Sequence, residues 1–255
     1  MTPRISDLWV YLAASPLLGL TVTLLAYQGG LWLYRRSGMH PLANPVLLAV
    51  AVLVALLLLT GTPYATYFEG AQFVHFLLGP ATVALAVPLH AQIRRVRALA
   101  LPIAAGLLAG GLTAALSAVA VGRWLGASGP TVLSLAPKSA TTPIAMGVAE
   151  QIGGIPSLTA VLVIATGIFG AVLAIPLFDR LRVRDPAVRG FALGVASHGI
   201  GTARAFQIDE ETGAFAALAM GLNGVFTALA VPALAAISAN ATTAPSGWFT
   251  QVPIK

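Results

Sequence analysis

Long apolar runs, separated by short polar or proline-containing connections, make up most of this 255-residue chain. About 20 consecutive apolar residues are enough for an α-helix to cross the ~30 Å hydrocarbon core of a bilayer. There is room for about seven or eight such passes, and no connection is long or polar enough to form a soluble domain. The pattern therefore predicts an all-α polytopic membrane protein. The predicted spans are 8–34, 42–61, 73–92, 99–125, 155–178, 188–207 and 214–237, with 62–72 as a loop or interfacial turn.

One stretch, Ala136 to Gly154, departs from the apolar pattern and concentrates polar groups in the middle of the chain. Thr141 to Gln151 can form a helix with Pro143 in its first turn, where a missing N–H costs little. Ser139, Thr141 or Thr142 can serve as its N-cap residue. Eleven residues rise only about 16 Å, roughly half of the hydrocarbon core. The stretch therefore predicts a half-helix whose positive N-terminal end, beside Lys138, lies at mid-depth and suits a small anion.

A second interruption, Ser197 to Arg204, falls at the centre of the span 188–207. Gly199 and Gly201 favour a break in the helix, and a break exposes backbone N–H and C=O groups. Such groups are tolerated at membrane depth only inside protein or beside a wet cavity. The two interruptions, together with the repeated ALAVP at 84–88 and 228–232, suggest an inverted-repeat transporter with two discontinuous helices.

Charged residues are few, at 9% of the chain, against 58% hydrophobic residues, and the net charge is +6. The arginines cluster at the ends of apolar runs, which is typical of positive-inside topology and gives no reason to expect nucleic-acid binding. This rule places the clusters at 35–36, 94–97 and 180–189 on the cytoplasmic side. The acidic turn Asp209 to Glu211 is then expected outside, and the segment Ser128 to Gly154 must enter and leave from one side or make two short crossings.

Lys138 and Glu150 are the ionisable groups of the first polar stretch. A buried ammonium is costly and needs an anionic partner, either a substrate carboxylate or Glu150. Lys138 could instead extend to an interface. Glu150 and Gln151, at the far end of the half-helix, either form a proton site or cap its mouth at the surface.

The second interruption contributes Ser197, His198, Thr202 and Arg204. His198 could exchange a proton near neutral pH or simply donate a hydrogen bond. Arg204 could clamp a carboxylate with two parallel hydrogen bonds, or extend to the interface from its position near a span end. In the last span, Asn223 is a buried amide that either bonds across helices or contacts substrate.

Signatures of an enzyme or of a bound cofactor are missing. The chain contains no cysteine, so a disulfide framework, a thiolate metal site and a thiol nucleophile are excluded. No metal-ligand spacing recurs, and the glycines follow no nucleotide-binding pattern. Ser197 and His198 are neighbours, and adjacent residues of a helix point apart, so a hydrolase based on them is disfavoured.

Three segments closely resemble the hallmark segments of the LrgB/CidB family of bacterial inner-membrane proteins. They read PKSATTPIAMGVAEQIGGIPSLTAV, RDPAVRGFALGVASHGIGTARA and GAFAALAMGLNGVFTAL. The family includes the membrane half of the plant plastidal glycolate/glycerate translocator. It has been described both as carriers of small monocarboxylates (glycolate, glycerate, pyruvate, lactate) and as holin/antiholin-like regulators of murein hydrolase export and autolysis. Ala140 departs from the β-branched residue expected there.

The resemblance implies a transmembrane transport domain at 42–238, preceded by an N-terminal span and turn (1–41) and followed by a short polar tail (239–255). It implies a carboxylate site and coupling or gating groups in a multi-pass protein of the bacterial inner membrane. Coupling to H⁺ or Na⁺, a homo-oligomer and a small LrgA/CidA-like membrane partner are further expectations. The matching positions are Lys138, Ser139, Thr141, Thr142, Ser197, His198, Thr202, Arg204 and Asn223 for substrate, and Glu150, Gln151 and His198 for coupling or gating.

Overall fold

The computed structural model describes residues 16–40 and 43–243, and in these ranges helix is the regular secondary structure. The helices run in the order α1 Pro16–Arg36, α2 Pro45–Thr60, α3 Tyr64–Phe76, α4 Leu78–Ala84, α5 Ala86–Ala91, α6 Ile93–Ala98, α7 Ala100–Trp124, α8 Gly129–Leu135, α9 Thr142–Ile152, α10 Pro156–Arg180, α11 Pro186–Phe206 and α12 Glu210–Thr243. Residues 8–15 of the predicted span 8–34 and most of the tail lie outside the described residues.

Five helical stretches of the described chain are long and apolar enough to cross a membrane. They are Leu17–Arg36, Tyr64–Ala91, Ala100–Trp124, Pro156–Arg180 and Glu210–Ile237, and the shorter Pro45–Thr60 is also apolar. The predicted all-α polytopic membrane fold is confirmed. The predicted number of seven or eight passes stays a prediction.

The prediction of a loop at 62–72 is wrong, because α3 covers most of it. The segment is held helical by packing against α1: Tyr67 Oη lies 2.7 Å from the hydroxyl of Thr23. Gly19 of α1 leaves the space for this approach, since a Cβ there would lie 2.6 Å from the carbonyl oxygen of Tyr67. Within α3, the rings of Tyr64 and Phe68 stack at 5.7 Å. Tertiary contacts thus override a sequence rich in turn-forming and aromatic residues.

α11 is a hairpin of two half-helices and not a straight rod. Its backbone leaves the helical region at His198, where φ is 41° and ψ is −134°. Gly190 packs against Thr212 and Phe206 packs against Gly213, so both ends of α11 approach adjacent residues of α12. A straight helix would hold Gly190 and Phe206 roughly 24 Å apart. The chain therefore enters, turns at His198 and returns to the same level; we call 186–206 the second hairpin and 197–202 its tip.

The segment 129–154 also reverses direction, and its end returns to the level of Ser134. The amide N–H of Ile155, just beyond α9, donates to the hydroxyl of Ser134 in α8 at 2.7 Å. Residues 134–137 and α9 thus form the two arms of a loop, joined through the non-helical residues 138–141. At the far end of this loop, Ala140 and Ala145 pack against Val163 in the interior of α10. We call 129–154 the first hairpin and 138–142 its tip; it satisfies the expectation that this element enters and leaves from one side.

The bases of the two hairpins lie at opposite ends of α10. Ser134, at the base of the first, bonds to Thr159 near the start of α10. Arg189, near the base of the second, donates to Asp179 at the end of α10 at 2.5 Å. Because α10 has 25 residues, enough to span the bilayer, the two bases lie near opposite membrane faces and the tips meet between them.

The expected position of the acidic turn 209–211 is wrong. Arg95 forms ion pairs with both Asp185, the N-cap residue of α11, and Glu211 in the first turn of α12. The sequence rule assumed that 188–207 crosses the membrane, which would carry Glu211 to the other side. Since this segment is a hairpin, Glu211 lies on the same face as the arginine cluster at 94–97.

Candidate functional site

One amide, Asn223 of α12, links the first tip to the helical arm that leads into the second tip. Its Nδ2 donates to the carbonyl oxygen of Ser139 at 3.1 Å and to that of Val195 at 3.2 Å. Asn223 is 1% exposed, and among the described residues its Oδ1 has no hydrogen-bond partner. Of the two sequence-based alternatives, the structure shows the bond across helices. Asn223 therefore fixes the distance between the first tip and the helical arm that leads into the second tip.

His198 is buried at the second tip and bonds to backbone. Its Nε2 lies 2.9 Å from the carbonyl oxygen of Val163, the residue against which the first tip packs. The ring occupies space left by Gly167 of α10, where a Cβ would come within 2.7 Å of the imidazole. A neutral imidazole that donates to Val163 fits this geometry. The structure thus shows the hydrogen-bonding role of His198, and a proton-exchange role stays a prediction.

Ser197 is almost completely buried, at 1% exposure, and its hydroxyl has no hydrogen-bond partner among the described residues. It packs against Gly170 of α10, where a Cβ would lie within 2.8 Å of the Ser197 Cβ and closer still to its hydroxyl. Gly167 and Gly170, one helical turn apart, therefore form the seat of the second tip on α10.

Lys138 lies at the first tip and is partly buried. Its Nζ is 3.4 Å from the hydroxyl of Ser139. The described part of the chain shows no ion pair for Lys138, so the alternative of a Lys138–Glu150 pair finds no support. A half-buried ammonium at the first tip is a group that an anion can reach.

The threonines of the two tips differ in their surroundings. Thr141 occupies the N-cap position of α9 and Thr142 follows it; both are partly exposed, and the Thr141 side chain makes no capping bond. Thr202, in contrast, is 3% exposed and donates back to the carbonyl oxygen of His198 at 2.9 Å. The first tip therefore offers free hydroxyls, and Thr202 stabilises the break in α11.

Helix ends add positive character at the same place. α9 begins at Thr142, and the second arm of α11 begins just after His198, so both present N-terminal N–H groups to the region between the tips. Each helix N-terminus carries a partial positive charge of about half an elementary charge. Together with Lys138, they give the region around the tips a positive character.

Two of the predicted residues, Glu150 and Gln151, lie away from the tips. They are exposed and sit in the last turn of α9, at the end opposite its N-terminus. Of the two alternatives, their exposure matches the surface cap better than a buried proton site.

Arg204 lies away from the tips, although the sequence groups it with Ser197 and His198 in the second interruption. It lies near the base of the second hairpin, where its Nη1 donates to Gln207 at 3.2 Å and its Cζ is 5.1 Å from the centroid of the Tyr34 ring. The reason is the reversal at His198: the returning arm carries Arg204 back towards the membrane face that holds Arg95. The expectation that Arg204 clamps a substrate between the tips is therefore not supported by its position.

The glycines of α7 serve the interior of this chain. A Cβ at Gly106 would lie 3.3 Å from the Phe191 ring, one at Gly110 3.2 Å from Val195, and one at Gly111 3.3 Å from Oδ1 of Asn223. Their small size allows α11 and α12 to pack on α7, so they give no separate evidence for self-association. A cavity of about 420 Å³ beside them is lined by apolar residues and does not suit a carboxylate.

The chain is similar to several bacterial proteins. It is 36% identical to the Bacillus subtilis protein YwbG over 86% of this chain and 96% of the relative, and 37% identical to Bacillus subtilis YxaC over 80% and 88%. It is 30% identical to an antiholin-like protein LrgB from Bacillus cereus over 86% and 95%. No solved structure matches the chain.

The family model of the LrgB-like family matches residues 23–237. This match includes both hairpins, both tips and the helices that seat them. The resemblance seen in the three hallmark segments thus extends over most of the sequence, and the chain belongs to the LrgB-like family.

Proposed function

We propose that this protein binds a small monocarboxylate between the two tips and carries it across the membrane by alternating access. The observation that supports this most is that Asn223 bonds both to Ser139 of the first tip and to Val195, just before the second tip, with Lys138 partly exposed at the first tip. Glycolate, glycerate, pyruvate and lactate each have one carboxylate for Lys138 and a hydroxyl or carbonyl group for Ser139, Thr141 or Thr142.

Uptake of labelled glycolate and pyruvate into proteoliposomes tests the proposal. Loss of a hydrogen bond to a charged group costs about 1.5–3 kcal/mol. Lys138→Met should therefore raise the substrate concentration that gives half-maximal uptake by tenfold or more. Arg123→Gln, which removes an exposed cation at the end of α7, is the matched control and should leave uptake unchanged. Wild-type uptake no greater than that of Lys138→Met would rule out the carrier.

Proton or sodium coupling belongs to this proposal, with His198 and Glu150 as the candidate coupling residues. Imposing a pH gradient or a sodium gradient separately across the proteoliposome membrane distinguishes the two ions. Accumulation that follows the pH gradient and is lost in Glu150→Gln would assign coupling to Glu150; accumulation that follows sodium alone would remove both residues from this role.

The relatives favour a second candidate function more directly than the first. Because a relative is named antiholin-like protein LrgB, this chain could act as a regulator of murein hydrolase export and autolysis through assembly in the inner membrane, with itself or with a small LrgA/CidA-like protein. Anion-dependent stabilisation separates the candidates, since a ligand that binds the folded protein raises its melting temperature with concentration. A carrier should be stabilised by glycolate or pyruvate, whereas a regulator without a ligand should show no response.

A further inference from the structure

The base of the second hairpin holds a buried cation that the paired tips do not use. Arg204 is only 7% exposed, and its hydrogen bond to Gln207 engages one of its donors. Within 16–40 and 43–243, the ion pairs found are those of Arg95 and Arg189, and none of them includes Arg204. A charge in this situation has lost hydration without gaining a carboxylate.

Such an arrangement is costly unless an anion completes it. A guanidinium carries five N–H donors in a planar fork, and Gln207 accepts from only one of them. A buried charge that lacks a counter-charge is strongly destabilising. The remaining donors of Arg204 match the two oxygens of a carboxylate or phosphate group.

Tyr34 provides a second, independent indication at the same place. Its ring lies under the Arg204 guanidinium, the side chain is 2% exposed, and its hydroxyl has no hydrogen-bond partner in the described part of the chain. Buried tyrosine hydroxyls usually find a partner. Tyr34 comes from α1 and Arg204 from α11, so two separate elements bring an unsatisfied donor and an unpaired cation together.

We propose that Arg204, Gln207 and Tyr34 form a second oxyanion site, separate from the tips and near the membrane face of Arg95. Arg204 donates two N–H groups to a carboxylate or phosphate, and the hydroxyl of Tyr34 and the side-chain amide of Gln207 donate to the same group. The site rests on the proposed function in one respect only, since a soluble carboxylate held here would be the transported substrate at one mouth of its path.

The test uses the full-length Lys138→Met protein, in which the tips have lost their cation, purified in detergent. Its melting temperature is measured against sodium glycolate and inorganic phosphate at constant ionic strength. The expected result is a rise in melting temperature that saturates with anion concentration. The apparent affinity for the anion should fall about tenfold when Tyr34→Phe is added, since this removes one hydrogen bond to a charged group. Tyr34→Phe keeps the ring under Arg204, so it tests the hydroxyl without creating a cavity. Tyr27→Phe, on the same helix but 38% exposed, is the control and should change nothing.

A third arm identifies the source of the oxyanion by adding phosphatidylglycerol, with phosphatidylcholine for comparison. A rise with glycolate assigns the site to a soluble carboxylate, and a rise with phosphatidylglycerol alone assigns it to a lipid phosphate. A Lys138→Met protein that responds to none of these additions, or responds equally with Tyr34→Phe, overturns the site. If the wild-type protein took up no glycolate, the proposed carrier function would be contradicted, but the proposed site at Arg204 would not.

Discussion

The two hairpins share a shape but are built in opposite ways. The first tip is a non-helical stretch whose lysine and threonines are partly exposed, and its backbone is held by one amide, Asn223. The second tip turns at a single residue, His198, and is seated against Gly167 and Gly170 with its polar side chains buried. The difference matches the proposed function, in which the closely packed second tip forms a wall of the site and the first tip presents the groups that bind the anion.

The bases of the hairpins differ as well. Ser134 closes the first base with neutral hydrogen bonds to Pro130 and Ile155, and it is fully buried. Arg95 closes the second base with ion pairs that are between a quarter and a half exposed. The first base should therefore be insensitive to salt, and the second should loosen as ionic strength rises.

The largest expected effect comes from filling the seat of the second tip. Gly170→Ala places a methyl group within 2.8 Å of the Ser197 Cβ, and overpacking of this kind should lower the free energy of unfolding by about 3 kcal/mol or more. The loss should appear as a lower melting temperature in detergent. Ser197→Gly in the same chain removes the clashing side chain and should recover most of it.

Gly29→Ala is the control for this substitution, since a Cβ at Gly29 meets nothing within 4 Å. It should be neutral or mildly stabilising. A Gly170→Ala protein as stable as Gly29→Ala would contradict the rigid seat.

A smaller effect is expected from cutting the link between the tips. Asn223→Ala leaves the carbonyl oxygens of Ser139 and Val195 without this donor and removes a fully buried side chain. Together these should lower the free energy of unfolding by about 2–4 kcal/mol. Val225→Ala, two residues away and 61% exposed, serves as the control. Equal melting temperatures for the two variants would show that the hairpins are held together without a contribution from Asn223.

Opening the first base should cost less. Ser134→Ala removes the acceptor for the N–H of Ile155 and should lower the free energy of unfolding by about 1–3 kcal/mol. The decrease in melting temperature should be the same at low and high salt. A decrease that shrinks in high salt would mean that the first base is also closed by charge.

The smallest effect is expected at the second base. Arg95→Gln removes two partly exposed ion pairs, each worth about 0–1 kcal/mol. Its cost should therefore be about 1 kcal/mol at low salt and close to zero at 1 M salt, where the Debye length is ~3 Å. Arg97→Gln, an exposed neighbour in α6, is the control. Melting curves at the two salt concentrations measure the difference, and a salt-independent cost would contradict the proposed ionic closure.

The sequence was informative wherever a local pattern decides the structure. The half-helix predicted at 141–151 is α9 at 142–152, with Pro143 in its first turn and Gly153 in the left-handed conformation after its end. The spans predicted at 99–125 and 155–178 agree with α7 and α10 to within a turn. In each case proline, glycine and hydrophobic length mark the ends, and these signals lie within a few residues of the feature.

Contacts between distant residues could not be derived in this way. Gly199 and Gly201 indicated a break, but the break becomes a reversal at His198, through a backbone conformation that depends on the space left by Gly167 and Gly170. The TGIFGA sequence at 166–171 contains a pair of small residues that could have suggested this seat. The pairing of Arg95 with Glu211 and that of Arg204 with Tyr34 join residues far apart in sequence, and no local pattern encodes them.

The position of Asn223 in the last helix sets an order for biogenesis. The seat on α10 is synthesised before the second hairpin, so part of the support of that hairpin is already present when it is made, although it also packs along α12. The first hairpin is made earlier but must wait for α12 before its backbone is held. Until synthesis ends, its polar segment lacks its final anchor, and a chain truncated before residue 223 should be degraded by membrane proteases faster than the complete protein.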